Sequence, residues 1–357
     1  MRSRIPHNRP LIDRADRVAV DKVLESGWIS RGPEAEGLEA AFVALYGGGG
    51  ACATSSGSSA LFLTLLALGV RAGSRVAVPT YACSALLDAV RLAQAEPVVV
   101  DVSPDDLNLD PEMLTASVKR SGRRVDATIL VHMFGARGAV ERLQHVGGEI
   151  VEDCCQSLGG ALGAELLGSR GRAAVFSLSA SKVITCGHGG MIWDRVGTVA
   201  SAASDLQNYD GRARYVPRFN FQLTDIQAAM ARSQLTRLTT IADRRRLIAR
   251  RYVDSLPPGI DAPVGVMDAG RMVYRFVIRT HSSQHQAALH AHFDSLGITT
   301  IIPVERFELL HRYLGLDPVN YPVAETAVDT TLSIPVFPGL TDSEIDRICA
   351  GLACAPV

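Results

Sequence analysis

The stretch Glu149-Ile150-Val151-Glu152-Asp153-Cys154-Cys155-Gln156-Ser157 carries the first decision about the fold. It opens short, apolar and β-branched, and two carboxylates follow at once. An apolar run of this kind reads as a strand buried on both faces, and acids at its carboxyl end sit where open α/β sheets bind ligands. Similar runs flank it. Residues 75–78, 97–102 and 128–131 precede it, and residues 173–176 and 191–193 follow. Helix-like segments lie between them, among them 58–68, 84–93 and 111–120. Strands alternating with helices predict an α/β protein with a largely parallel sheet covered on both faces.

Outside this core the pattern changes. Two amphipathic helices are expected near the N-terminus. The second carries Leu38, Phe42 and Leu45 on one face and ends at the glycines 47–50. Residues 224–255 form one long helical pattern, stopped by Pro257-Pro258-Gly259. That break divides the chain into a large unit, 1–255, and a smaller C-terminal α/β unit, 256–357, with a strand at 272–280 and a helix at 283–296. A length of 357 residues suits two such units.

Composition excludes several classes of function. Thirty-six basic residues nearly balance 37 acidic ones, so there is no basic footprint for nucleic acid. The longest uncharged stretch, 40–70, is broken by glycines and serines and is no membrane span. The N-terminus has no apolar signal-peptide core. Seven cysteines form neither a disulfide framework nor a CxxC metal site, so reduced thiols and a cytoplasmic location are expected. His281, His285, His290 and His292 lack the spacing and the carboxylate a metal site needs and read as a solvated helix face.

Three places could carry chemistry. The chain has only three lysines, Lys22, Lys119 and Lys182. Lys182 alone lies among small and apolar residues, in Phe176-Ser177-Leu178-Ser179-Ala180-Ser181-Lys182, with no acid beside it in sequence. Desolvation there should lower its proton affinity, as an imine-forming lysine requires; the other reading is a lysine that snorkels to the surface. Asp153 could pair with the protonated ring nitrogen of a cofactor, or could cap a helix. Thr54-Ser55-Ser56-Gly57-Ser58-Ser59 leads from a strand into a helix. It reads as a phosphate cradle or as an ordinary capped helix, and not as a Walker loop. Ser179-x-x-Lys182 lacks the later lysine motif of serine acyl-enzymes.

Taken in this order, the three features resemble the fold-type I pyridoxal-phosphate enzymes. The local wording is similar to that of the DegT/StrS family of sugar aminotransferases. Further family-like segments are Val78-Pro79-Thr80-Tyr81, Val131-His132-Met133-Phe134-Gly135, Gly189-Gly190-Met191, Phe219-Asn220-Phe221 and Asp225-Ile226-Gln227-Ala228-Ala229. The resemblance spans nearly the whole chain. It implies a mostly parallel seven-stranded sheet with a smaller C-terminal α/β domain, and pyridoxal 5'-phosphate as cofactor. Lys182 would hold the cofactor as an imine and move protons. Asp153 would keep the pyridinium protonated. Gln156 would bind the ring hydroxyl side, and Gly57, Ser58 and Ser177 the phosphate. An asparagine at the place of Asn220 reaches the phosphate of the other subunit, which implies a homodimer with shared sites.

The implied reaction moves an amino group from L-glutamate to a keto-sugar, nucleotide-linked, in amino-sugar biosynthesis. A cyclitol aminotransferase using glutamine or glutamate, a sugar dehydratase and a non-catalytic regulator are the alternatives; the dehydratases tend to replace the imine lysine with histidine. Three positions depart from the family pattern. Cys83 stands where an aromatic often covers the ring, His188 where glutamate is common, and Thr299-Thr300 where a His-Tyr pair follows the Gly-Ile. Cys83 is expected on the ring face, and Cys155 as a small buried hydrophobe.

Overall fold

The computed structural model describes residues 4–356. Its strands are β1 (Gly50–Thr54), β2 (Arg75–Pro79), β3 (Glu96–Val100), β4 (Ala127–Val131), β5 (Glu149–Asp153), β6 (Ala161–Leu162), β7 (Glu165–Leu166), β8 (Ala173–Ser177), β9 (Gly190–Asp194), β10 (Phe276–Arg279) and β11 (Thr331–Ile334). Seven of them make one sheet in the order β1-β9-β8-β5-β4-β2-β3. Only β9 runs against the rest, pairing antiparallel with both β1 and β8. From β8 to β3 the neighbours are all parallel, so the carboxyl ends of β2, β4, β5 and β8 open on one edge.

Period-two alternation within the strands sorts side chains to two apolar layers. Val76, Val78, Ile129, Val131, Val151 and Val175 pack on one face with the helix Gly57–Ala67. Ala77, Leu130 and Ile150 face the other way, as do Ala174 and Phe176 further along the sheet. Both faces are covered, so β2, β4 and β9 are buried at every position and read as continuous apolar runs. The helix Gly57–Ala67 is itself apolar all round, with residues 59 to 65 all buried between the sheet and neighbouring helices.

The C-terminal residues build a second core. β10 pairs antiparallel with β11, and Ile278 and Leu332 pack there with Leu289, Phe293, Ile345 and Ile348. Ile248, Ala249 and Tyr252 of the helix Leu238–Val253 enter the same cluster. So does Ile5 from the far end of the chain. Its N–H donates to Gly297 O at 2.9 Å and its carbonyl accepts from Thr299 N at 3.0 Å, a parallel bridge to Ile298.

Two expected elements are shorter than the sequence pattern implies. The helical pattern over 224–255 is two helices, Asp225–Leu235 and Leu238–Val253. Arg237 at the break is ion-paired to Asp13 and to Asp16. The periodicity survives because Ala228 and Ala231 before the break and Leu238 and Ile241 after it face one core. The strand expected over 272–280 begins only at Phe276. Before it, the Val273 and Tyr274 carbonyls accept from Arg245 Nη1, at 3.3 and 3.0 Å. A buried guanidinium there takes the place of a ladder neighbour.

Candidate active site

The carboxyl ends of β4, β5 and β8 and the start of the helix Gly57–Ala67 enclose a cavity of about 310 Å³. Gly57, Ser58, Cys83, Asp153, Gln156, Ser177 and Lys182 all line it. Asn220, expected to act on a partner's site, is exposed and lies outside that lining.

The cradle forms because Ser56 and Ser59 cap each other. Ser59 N donates to Ser56 Oγ at 3.0 Å, and Ser56 N donates to Ser59 Oγ at 2.9 Å. Ala60 N is taken by Ser56 O. The N–H groups of Gly57 and Ser58 are left without a partner among the described residues. They open the helix at its positive end, which suits a phosphate. Glycine is required on steric grounds, since a Cβ at Gly57 would stand 2.9 Å from Ser177 Cβ. Gly190 allows a second close approach, as its Cβ would lie 2.3 Å from Ser56 O.

Asp153 ends β5 and is only 5% exposed. Its Oδ1 accepts from Cys155 N at 2.9 Å; beyond that N–H and the weakly donating Cys155 thiol, no hydrogen-bond donor meets the carboxyl among the described residues. A buried carboxylate oxygen at a cavity wall is costly unless a cation or donor meets it. Residues 154–159 are turns rather than a helix, so Asp153 caps none. Glu152 points the other way and is fully engaged. It accepts from His132 Nε2 at 2.8 Å and from the backbone N–H groups of Gly168, Arg170 and Gly171. Burial alone would raise its pKa, but these donors hold the carboxyl below its ordinary range. Gln156 accepts from Phe134 N through Oε1 at 2.9 Å, which leaves its amide nitrogen as the remaining donor.

Lys182 corrects one expectation. Burial does favour the neutral amine, but Tyr274, Cys155, Asp153 and Cys83 outweigh it and raise the pKa above the ordinary lysine value. The acids absent from its sequence neighbourhood are supplied by other elements. Nζ lies 5.3 Å from the Tyr274 ring centre. Burial raises the Tyr274 phenol, yet Lys182, Arg275 and the adjacent Ser181 hydroxyl bring it below its usual value. Both shifts favour a protonated Lys182 facing the Tyr274 ring. Reasoning from sequence missed Tyr274, because its segment reads as the start of a strand.

Of the two cysteines, Cys155 differs from expectation. Cys83 is exposed at the cavity, and Cys155 is half-buried on its lining rather than sealed in the core. Burial pushes the Cys155 thiol up and keeps it protonated. We expect a thiol alkylator to label Cys83 readily and pyridoxal phosphate to protect it, with Cys349 and Cys354 labelled equally in both states. Peptide mass mapping reads the result, and equal labelling of Cys83 would remove it from the ring face.

The histidines of the helix Ser283–Ser295 have separate partners: His285 meets Pro356 O, His290 meets Thr300 Oγ1 and His292 meets Gly351 O. No group of three metal-ligating side chains occurs among the described residues. No helix among them is long and apolar enough to cross a membrane.

An anion cradle, a buried carboxylate with no cation paired to it and a lysine around one cavity suit pyridoxal phosphate. The comparisons agree. Residues 10–353 match the DegT/DnrJ/EryC1/StrS aminotransferase family, and the chain belongs to it. The chain is similar to S. venezuelae DesV in complex with a ketimine intermediate, with 29% identity, 95% of this chain and 93% of that chain covered, and a TM-score of 0.86. It is similar to a DegT DnrJ EryC1 StrS aminotransferase from Brucella abortus at 28% identity, with 95% and 94% covered and a TM-score of 0.85. The fold is also shared with the putative sugar aminotransferase Spr1654 from Streptococcus pneumoniae in its PMP-form, at 23% identity, 99% and 97% coverage and a TM-score of 0.91. The protein is a pyridoxal 5'-phosphate-dependent aminotransferase.

Proposed function

We propose that this enzyme carries an amino group from L-glutamate to a nucleotide-linked keto-sugar, in the cytoplasm and as a homodimer with shared sites. The observation that carries the reading is the set of groups gathered around one cavity: the Gly57 and Ser58 N–H groups, the Asp153 carboxyl and Lys182. When bound, pyridoxal phosphate supplies an electron sink for the carbanion. The chain supplies the rest. Gly57, Ser58 and the Ser177 hydroxyl hold the phosphate, Asp153 anchors the ring nitrogen, and Gln156 offers its amide nitrogen beside the ring. Nζ becomes nucleophilic once it gives up its proton at the cavity wall, where burial favours the neutral amine and the Tyr274 ring faces it. Lys182 then serves as the acid and base beside the reacting carbon.

The dimer has two supports. Trp28, Ile29 and Tyr215 are large, apolar or aromatic, and 60%, 52% and 89% exposed, which is unusual unless another surface covers them. Phe219 and Phe221 stack at 5.4 Å, and both pack on Phe62; the intervening Asn220 is displayed outward. Mixing inactive Lys182→Ala and Asn220→Ala subunits should restore part of the activity, because the hybrid has one intact site. No recovery despite demonstrated subunit exchange would show that Asn220 does not serve a partner.

The reaction is tested by adding L-glutamate to the loaded enzyme and following the cofactor absorbance. Keto-sugars are then added to restore the first spectrum. Conversion by glutamine, with a cyclitol ketone as the acceptor, would favour the cyclitol reading. No conversion by any amino donor would leave a regulator with this fold.

A further inference from the structure

Beside the Lys182 wall lies a smaller cavity of about 40 Å³, lined by His7, Asn8, Ser181, Tyr274, Arg275 and Val336. Ser181 belongs to both cavities. Lys182 Nζ and the Arg275 guanidinium carbon lie 5.3 and 5.6 Å from the same Tyr274 ring centre.

Arg275 is half-buried and differs from the other arginines that bury an unmet nitrogen. Its terminal nitrogen Nη1 is buried and has no hydrogen-bond partner among the described residues. Arg237, Arg245 and Arg271 also carry an unmet buried nitrogen, but theirs is Nε, and their terminal nitrogens are bonded to carboxylates or carbonyls. A guanidinium nitrogen withdrawn from water without a partner costs free energy, so the site is built to receive an acceptor. The surroundings do not compete for it. His7 is held neutral, its pKa lowered to about 3 by burial and by Arg275 itself, and its Nε2 meets Ser333 Oγ at 2.9 Å.

We infer that Arg275 binds a carboxylate of the amino-acid donor. The inference rests on the aminotransferase reading and assigns the donor its place. A planar carboxylate matches the two terminal nitrogens of a guanidinium. At roughly 10–15 Å³ per water the cavity takes about three waters, the scale of one carboxylate. The location also suits the reaction, because the donor's amino group must reach the Lys182 side while its carboxylate is held apart. Arg275 is thereby a specificity-determining residue for the first half-reaction and has no part in holding the sugar.

The test uses the cofactor-loaded enzyme with glutarate, a dicarboxylate that lacks the amino group. Calorimetry should show that Arg275→Met weakens glutarate binding at least about tenfold, with Arg275→Lys intermediate. The L-glutamate concentration for half-conversion of the cofactor should rise in parallel. Cofactor content should stay unchanged, and the keto-sugar half-reaction should fall by a smaller factor than the glutamate half-reaction. Melting temperature separates this from a structural role: loss of an unmet buried nitrogen should leave Tm equal or higher. Equal glutarate binding by wild type and Arg275→Met would overturn the inference, as would a variant that weakens UDP instead of glutarate. Absence of cofactor conversion in the wild type by any amino donor would instead overturn the aminotransferase reading.

Discussion

Lys182→Ala should fold, bind pyridoxal phosphate without covalent attachment, and lose turnover by about 10⁴-fold or more. Acid–base catalysis by a placed side chain is worth roughly 10²–10⁴, and here the same residue also forms the covalent link. The loop that carries it is secured by others: Leu178 N donates to Gly189 O at 2.8 Å, and Thr185 N donates to Gln234 Oε1 at 2.9 Å. Removal of the side chain therefore leaves the cavity wall in place. Borohydride should fix the cofactor to Lys182 in the wild type and to nothing in the variant, as peptide mass shows. Wild-type turnover in the variant would end the assignment.

Asp153→Asn should keep the shape and lose the charge. Its side-chain oxygen can still accept from Cys155 N, so the turn after β5 survives. The cation on the ring loses its counter-charge, and a charge-assisted hydrogen bond is worth about 1.5–3 kcal/mol. At 1.36 kcal/mol per decade, turnover should fall about 10- to 100-fold. The stopped-flow rate of the glutamate half-reaction is the measurement. An unchanged rate would make Asp153 a structural residue of the turn.

Much of this site is legible in the sequence because its residues belong to regular elements. Asp153 ends a strand that announces itself by its apolar run, and Gly57 starts a helix announced by its serines. Every cofactor-binding residue expected within one chain lines the cavity; Asn220 does not, and a single chain gives no view of a partner. What the sequence concealed lies where two distant segments meet. Tyr274 sits in a stretch whose apolar pattern says strand, and only the Arg245 side chain explains why the ladder begins at Phe276. The protonation of Lys182 was concealed for the same reason, since Asp153 and Tyr274 are far from it along the chain. The helix break at Arg237 is invisible to periodicity because the apolar face continues across it.

The bridge between Ile5 and Ile298 bears on the order of events at the ribosome. The seven-stranded sheet uses residues 50 to 194 and is available early in synthesis. The second core cannot close until residues near 298 and the helix Asp342–Ala353 have emerged and met the segment around Ile5. Domains condense as their chains emerge, so the segment around Ile5 stays unpaired until the residues around Ile298 have been made. The carboxylate cavity, which draws His7 and Asn8 from that waiting segment, is thus among the last features of the enzyme to be completed.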